Sequence, residues 1–207
     1  MSLLPIFIKL AGRRCLLAGA GAVALQKIPS LLAAEADLRV IAPRTRPEIE
    51  TLASEGRIQL IRREFIASDL DRTFLVIAAT DNPEVNAAIH AAAVERDILC
   101  NSVDDPPHCD FYFGSVVSRG DLQIAVSTAG ESPAFAQQLR QEIDEQLPGD
   151  LGPWLRSLGE LRREVLAAYP AGEERKLLLH RLAHREVCDA RECPARKFAL
   201  ESKEVCA

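Results

Sequence analysis

The sequence predicts an α/β fold: a parallel sheet covered by helices, then a β-hairpin-and-helix segment, then a helical C-terminal region. Three observations predict it. Short, near-continuous apolar runs alternate with helical patterns to about residue 110, the mark of strands buried on both faces. A glycine loop, Gly19-Ala20-Gly21, separates the first deeply apolar run from the first helical pattern. Beyond residue 110 the alternation gives way to two strand-like runs and then to helical spacing.

Taken in order, Leu4 to Leu10 has the length of a short first strand, and Cys15-Leu16-Leu17-Ala18 that of a buried one. Ala22 to Ala34 has helical spacing, and Leu38 to Ile41 is strand again. Pro47 to Ser54 suits a helix opened by proline at its first position. Ile58 to Ile61 and Phe74 to Ala78 are further strands, and Asn82-Pro83 starts a helix running to about Arg96. Ile98-Leu99-Cys100 completes the series and empties into Asn101-Ser102-Val103-Asp104-Asp105-Pro106. Asp110 to Ser118 and Leu122 to Ser127 form a hairpin about Arg119-Gly120-Asp121. Ser132-Pro133 opens a helix to about Leu147, Pro148-Gly149-Asp150 breaks it, and Leu151 onward is helical in pattern. The divisions are 1–112, 113–147 and 148–207.

A chain of 207 residues holds one sizeable core and a smaller appendage. Its 48% hydrophobic and 27% charged content is that of an ordinary globular protein. No apolar run reaches bilayer length and the start lacks a charged signal-peptide region, so a cytoplasmic protein without membrane contact is expected. A net charge of −5 argues against a nucleic-acid partner. The six cysteines are spread along the chain, as thiols in a reducing compartment are.

The glycine loop carries the first chemistry. Gly19 permits the tight turn out of the strand and Gly21 leaves room for a pyrophosphate against the backbone. Ala24 allows close helix packing, and the helix start at Ala22 and Val23 favours phosphate. With a strand before it and a helix after it, this G-x-G-x-x-A is read as a dinucleotide site in a Rossmann-like domain. The acid that usually grips the adenine ribose is missing: the second strand ends Ile41-Ala42-Pro43-Arg44. Arg44 suits a 2′-phosphate or solvent, so NAD and NADP both stand. Ala78-Ala79-Thr80-Asp81 is a second approach to the cofactor, with Asp81 or Asn82 as helix cap.

Asp104 and Asp105 follow the last parallel strand, at the sheet edge where open α/β folds place ligands. One of them beside the cofactor is a candidate base; an Asx-type turn before Pro106-Pro107 is the plainer role.

Several stretches, in order, resemble the precorrin-2 dehydrogenase and sirohydrochlorin ferrochelatase family of siroheme synthesis. They are Leu4-Pro5-Ile6-Phe7, the glycine loop with Lys27, Ala78 to Asp81, Cys100-Asn101-Ser102-Val103-Asp104, and Ser127 to Ala134. The resemblance covers about residues 3 to 145. It implies NAD-dependent oxidation of precorrin-2 to sirohydrochlorin, with Fe²⁺ insertion in many members. It also implies a homodimer whose interface is formed largely by the segment after the Rossmann domain, here 113–147. Asp104 matches the aspartate implicated in catalysis, and it is a candidate transient ligand for Fe²⁺. Gly114 stands where a proline is usual and Ala129 where a glycine is common, which sets the local backbone apart at both points.

A tetrapyrrole ringed with carboxylates needs cations and free N–H groups. Arg119 and Arg140 are candidates, as are Ser127, Thr128, Gly130 and Ser132 before the helix start. In the tail, His180, His184 and Cys188 recur at i, i+4 and i+8, a spacing that suits either a metal or the border of a packed face. An NAD(P)-binding regulatory domain without catalysis is the alternative of a different class; Asp104 and the Ser127–Pro133 stretch favour the enzyme.

Overall fold

The computed structural model describes residues 3–183. β1 (Arg14–Ala18), β2 (Asp37–Ile41), β3 (Gln59–Ile61), β4 (Leu75–Ala78) and β5 (Leu99–Ser102) form one parallel sheet, in the order β3-β2-β1-β4-β5. From Cys15 to Ala18 the central strand is wholly buried, so both its faces need apolar side chains. Leu17 joins Val40 and Ile77 on one face, under α1 (Ala22–Ala33) and α2 (Pro47–Ser54). Leu16 and Ala18 join Val76 and Cys100 on the other, under α3 (Pro83–Val94). The spacing Ala24, Ile28, Leu31 gives α1 its inward stripe, as Ile89, Ala92 and Ala93 do for α3. Each large aliphatic side chain so buried contributes about 1.5–3 kcal/mol. Asn82 caps α3 by accepting the Glu84 N–H at 2.9 Å.

Two strand assignments are corrected. Leu4 to Leu10 forms no ladder; Leu4, Ile6 and Phe7 are exposed, and pairing begins only with an isolated bridge between Ala11 and Ala36. The places beside β1 are already taken by β2 and β4. The hairpin's first strand starts at Ser115, not Asp110, because the residues before it are engaged by β5. Asp110 N–H donates to the Cys100 carbonyl at 2.8 Å, its carboxylate accepts the Cys100 N–H at 2.8 Å, and the Phe111 carbonyl accepts from Asn101 Nδ2 at 2.8 Å.

The described chain divides into two units, Leu3–Phe113 and a second one beginning at Gly114. In the second, β6 (Ser115–Arg119) and β7 (Leu122–Val126) form an antiparallel hairpin packed on α4 (Pro133–Gln146). α5 (Leu151–Ala168) and α6 (Glu173–Leu182) meet through Leu161, Val165, Leu178 and Leu182. The start of α5 lies so close to the hairpin turn that a Cβ on Gly152 would stand 3.0 Å from the Arg119 carbonyl oxygen. No described helix is long and apolar enough to cross a membrane.

One buried charge ties down the connection between β3 and β4. Asp69, 4% exposed, accepts from Arg63 at 2.7 and 2.5 Å and from the Ile66 N–H at 2.9 Å. Burial pushes its carboxyl up, but the Arg63 bonds, the Ile66 N–H and the charges of Arg63 and Arg39 outweigh that and hold it below the usual range. A lowered carboxylate contributes stability above its unfolded pKa and loses it as pH falls through the folded value. Asp69→Asn is therefore expected to cost about 1–3 kcal/mol at neutral pH, Arg63 being partly solvated. In urea titrations the gap to the wild type should close below about pH 4.

Candidate active site

The order β3-β2-β1-β4-β5 reverses direction between β1 and β4, and the crevice beyond their C-terminal ends is where such sheets bind ligands. Gly19 opens it. Its φ is +107° and a Cβ there would lie 2.2 Å from the Ala79 carbonyl oxygen, so only glycine fits. Its N–H donates to the Ile41 carbonyl at 2.8 Å, tying the loop to β2. Gly21 is the N-cap of α1, with open space within 4 Å of its Cβ position. No side chain caps this helix and no acid occupies its first turn, which leaves the N–H groups of Ala22 and Val23 for an external acceptor. A dinucleotide pyrophosphate fits this loop sterically and electrostatically.

Arg44 and Asp81 meet at 3.4 Å, each side chain 87% exposed. They link the loops leaving β2 and β4 across the glycine loop, while Pro43 is exposed beside Arg44. Thr80 is occupied locally: its hydroxyl donates to Asn86 Oδ1 at 2.7 Å, and Asn86 Nδ2 donates back to the Thr80 carbonyl at 3.2 Å. Asn86 is buried and was not singled out in the sequence. The available signal was a polar residue on the inner stripe of α3, three and seven residues before Ile89 and Ala93.

The two carboxylates after β5 have different surroundings. Asp105 Oδ2 lies 2.6 Å from His108 Nδ1, and the His108 ring packs against His90 with centroids 4.4 Å apart. Asp104 is exposed, adopts a left-handed φ of +61°, and takes no hydrogen bond from the described residues. Such a conformation costs a non-glycine residue about 1–3 kcal/mol, with aspartate among the side chains that tolerate it best. The nearby cation is Lys27 of α1, its Nζ 4.3 Å from the centre of the Phe113 ring. Burial lowers the Lys27 pKa, and the Asp104 charge partly opposes the shift. An exposed carboxylate on a fixed turn can accept a proton from a ligand at this edge.

The remaining candidates belong to the second unit. Ser127 Oγ accepts the Ala129 N–H, Thr128 Oγ1 accepts the Ser132 N–H, and Ser132 Oγ caps α4 through the Phe135 N–H, each at 3.2 Å. Ala129 has φ +51° and Gly130 +89°, so the position where a glycine is common does require left-handed backbone. Arg119 and Arg140 converge on Asp144, at 2.6 and 3.7 Å, and Arg119 also donates to the Asp144 carbonyl at 2.8 Å. Arg119 thus clamps the hairpin to the end of α4. His180 is exposed on α6, while His184 and Cys188 lie outside the described residues. Among the described residues no three histidine, cysteine or acidic side chains are grouped to hold a metal.

A glycine turn and an uncapped helix start at the switch point of a parallel sheet define a dinucleotide-binding protein of the Rossmann class. A family model described as "Putative NAD(P)-binding" matches residues 6–115, and one described as "Sirohaem biosynthesis protein central" matches 119–146. The chain belongs to this NAD(P)-binding family of siroheme-synthesis proteins. It is 40% identical over 176 residues to siroheme synthase 1 of Serratia proteamaculans (strain 568), covering 85% of this chain and 37% of the relative. It is 39% identical over 203 residues to siroheme synthase of Methylococcus capsulatus (strain ATCC 33009 / NCIMB 11132 / Bath), covering 98% and 41%. The chain therefore spans about two-fifths of the length of these curated relatives. A solved structure, "SirC, precorrin-2 dehydrogenase", shares the fold with a TM-score of 0.81 at 22% identity, over 98% of this chain and 99% of that one.

Gly19→Ala would drive a methyl group into the Ala79 carbonyl. The expected outcome is loss of NAD(H) binding by fluorescence titration together with a lowered Tm; unchanged binding would contradict the geometry of the turn.

Proposed function

We propose that this chain oxidises precorrin-2 to sirohydrochlorin with NAD as the hydride acceptor. The observation that carries the reading is the pairing, at one sheet edge, of an open glycine-loop helix start with an exposed carboxylate held in a left-handed turn. The names of the relatives and of the fold neighbour supply the substrate class.

The reaction removes a hydride and a proton from the macrocycle. NAD, when bound, takes the hydride. The amides of Ala22 and Val23 hold its pyrophosphate, and Gly21 keeps the approach clear. The Asp104 carboxylate accepts the proton, the Asp105 carboxylate being engaged by His108. Lys27 offsets negative charge where an anionic macrocycle meets an acidic protein. Fe²⁺ insertion is a second step within the same reading: the macrocycle gives up two N–H protons as the metal enters, and Asp104 receives protons there too. The reaction takes place in the cytoplasm.

A homodimer completes the proposal. In the hairpin and α4, Val117 and Ala136 are the buried apolar side chains, whereas Val116 and Phe135 are exposed. A two-stranded sheet is marginal alone, and a second copy laid on this segment would cover those groups. Light scattering should give twice the 22.7 kDa chain mass, and Phe135→Glu should shift it toward that of one chain.

Anaerobic incubation with precorrin-2 and NAD⁺ tests the activity. The sirohydrochlorin absorbance should appear with one NADH per turnover, and its absence would refute the dehydrogenase reading. Fe²⁺ added to sirohydrochlorin, against a no-enzyme control, tests insertion separately. Asp104→Asn keeps the side-chain size but removes the base, so kcat should fall about 100-fold or more with NAD affinity unchanged.

A further inference from the structure

The segment from Ser102 to Asp110 leaves β5 and returns to it. Asp105 N–H donates to the Ser102 carbonyl at 3.2 Å, so Asp104 lies inside a tight turn whose two ends are residues 102 and 105. Cys109 Sγ lies 3.1 Å from the Ser102 carbonyl oxygen and 3.3 Å from the Asp105 carbonyl oxygen, the two ends of that turn. Asn101 Nδ2 donates to the same sulfur at 3.4 Å while also holding the Phe111 carbonyl at 2.8 Å.

We propose that the Cys109 thiol is a positioning residue for Asp104: its S–H, shared between the Ser102 and Asp105 carbonyls, locks the left-handed turn that aims the carboxylate off the sheet edge. The catalytic part of this inference rests on Asp104 being the proton acceptor. A thiol is a weak donor, yet its placement outweighs its strength. Asp104 pays a conformational penalty where it sits, and relaxing to negative φ would swing its side chain away from its present direction. No other described side chain bonds to both ends of the turn; the Asp105 carboxylate bonds His108. Burial, first, and the charges of Asp105 and Asp110 raise the Cys109 thiol, outweighing an opposing contribution from the Ser102 backbone, and so keep the hydrogen it donates.

The full chain carrying Cys109→Ala or Cys109→Ser decides the matter, with four readouts: kcat and KM for precorrin-2, NADH affinity, Tm, and hydrogen exchange at the Asp105 amide, which bonds the Ser102 carbonyl. In Cys109→Ala, kcat should fall about 10- to 100-fold with KM and NADH affinity near wild type, as for a misaimed group. Exchange at the Asp105 amide, which closes the turn onto the Ser102 carbonyl, should accelerate. Cys109→Ser, which restores a donor to the same carbonyls, should recover most of both. The inference is overturned if Cys109→Ala keeps wild-type kcat and exchange, if Cys109→Ser is no better than Cys109→Ala, or if activity falls only in step with Tm and NADH affinity. Should the wild type fail to oxidise precorrin-2, the functional reading fails by itself. Exchange then decides the thiol's role: faster in alanine and rescued in serine upholds the lock, and no change overturns it.

Discussion

The close approach of Gly19 to the Ala79 carbonyl governs the arrangement of the first unit. β1 and β4 are adjacent and in register to Ala18 and Ala78, and both chains must turn away at the next residue. With 2.2 Å between a hypothetical Cβ and that oxygen, one turn can be made only if the other takes its observed path. The Ala79 N–H donates to the Ala18 carbonyl at 2.8 Å, so the turns are joined by a bond as well as by contact. From that point α1 departs over one face and α3 over the other, and the crevice between them is the consequence. Asn86 reaches back from α3 to hold Thr80, fixing the second wall to the same reference.

β5 extends this frame to the chemistry. It is a buried strand with polar residues, Asn101 and Ser102, at its end, an arrangement that costs stability unless the polar atoms are bonded. Asn101 meets that requirement by gripping Phe111 and Cys109, which closes the loop carrying Asp104. The Val103 N–H continues the ladder to the Ala78 carbonyl at 2.9 Å, so the turn that holds Asp104 starts from a paired residue, Ser102. Few bonds separate the glycine turn from the carboxylate, and an error in the first would be transmitted to the second.

The central strands β1 and β4 were legible because burial on both faces favours an unbroken apolar run, and the glycine loop because sterics exclude every other residue at Gly19. Leu4 to Leu10 misled because an apolar run says nothing of whether an adjacent place in the sheet is free. Asp104 and Asp105 could be ranked from the family resemblance, but the reason for the ranking, the His108 contact, depends on a loop closing in three dimensions. The same holds for Arg44 with Asp81 and for Arg119 with Asp144: charged partners 37 and 25 residues apart leave no periodic trace. The common glycine replaced by Ala129 was visible as a departure, and its left-handed φ supplies the cause.

Backbone strain separates the functional turns from the structural ones. Glu35, Arg72 and Asp97 are non-glycine residues at positive φ that close helical turns, where the left-handed residue lets following N–H groups reach the last carbonyls. Ala36 N–H to the Leu31 carbonyl and Ile98 N–H to the Ala93 carbonyl, at 3.1 and 3.0 Å, are such bonds. Asp104 and Ala129 instead follow strands, β5 and β7, where no helix end needs closing. Side-chain bonds hold their conformation: the Cys109 thiol at the first, and the neighbouring Ser127 and Thr128 hydroxyls at the second. Strain held in place by dedicated side chains is what a loop requires when the direction of a group matters more than the comfort of the chain.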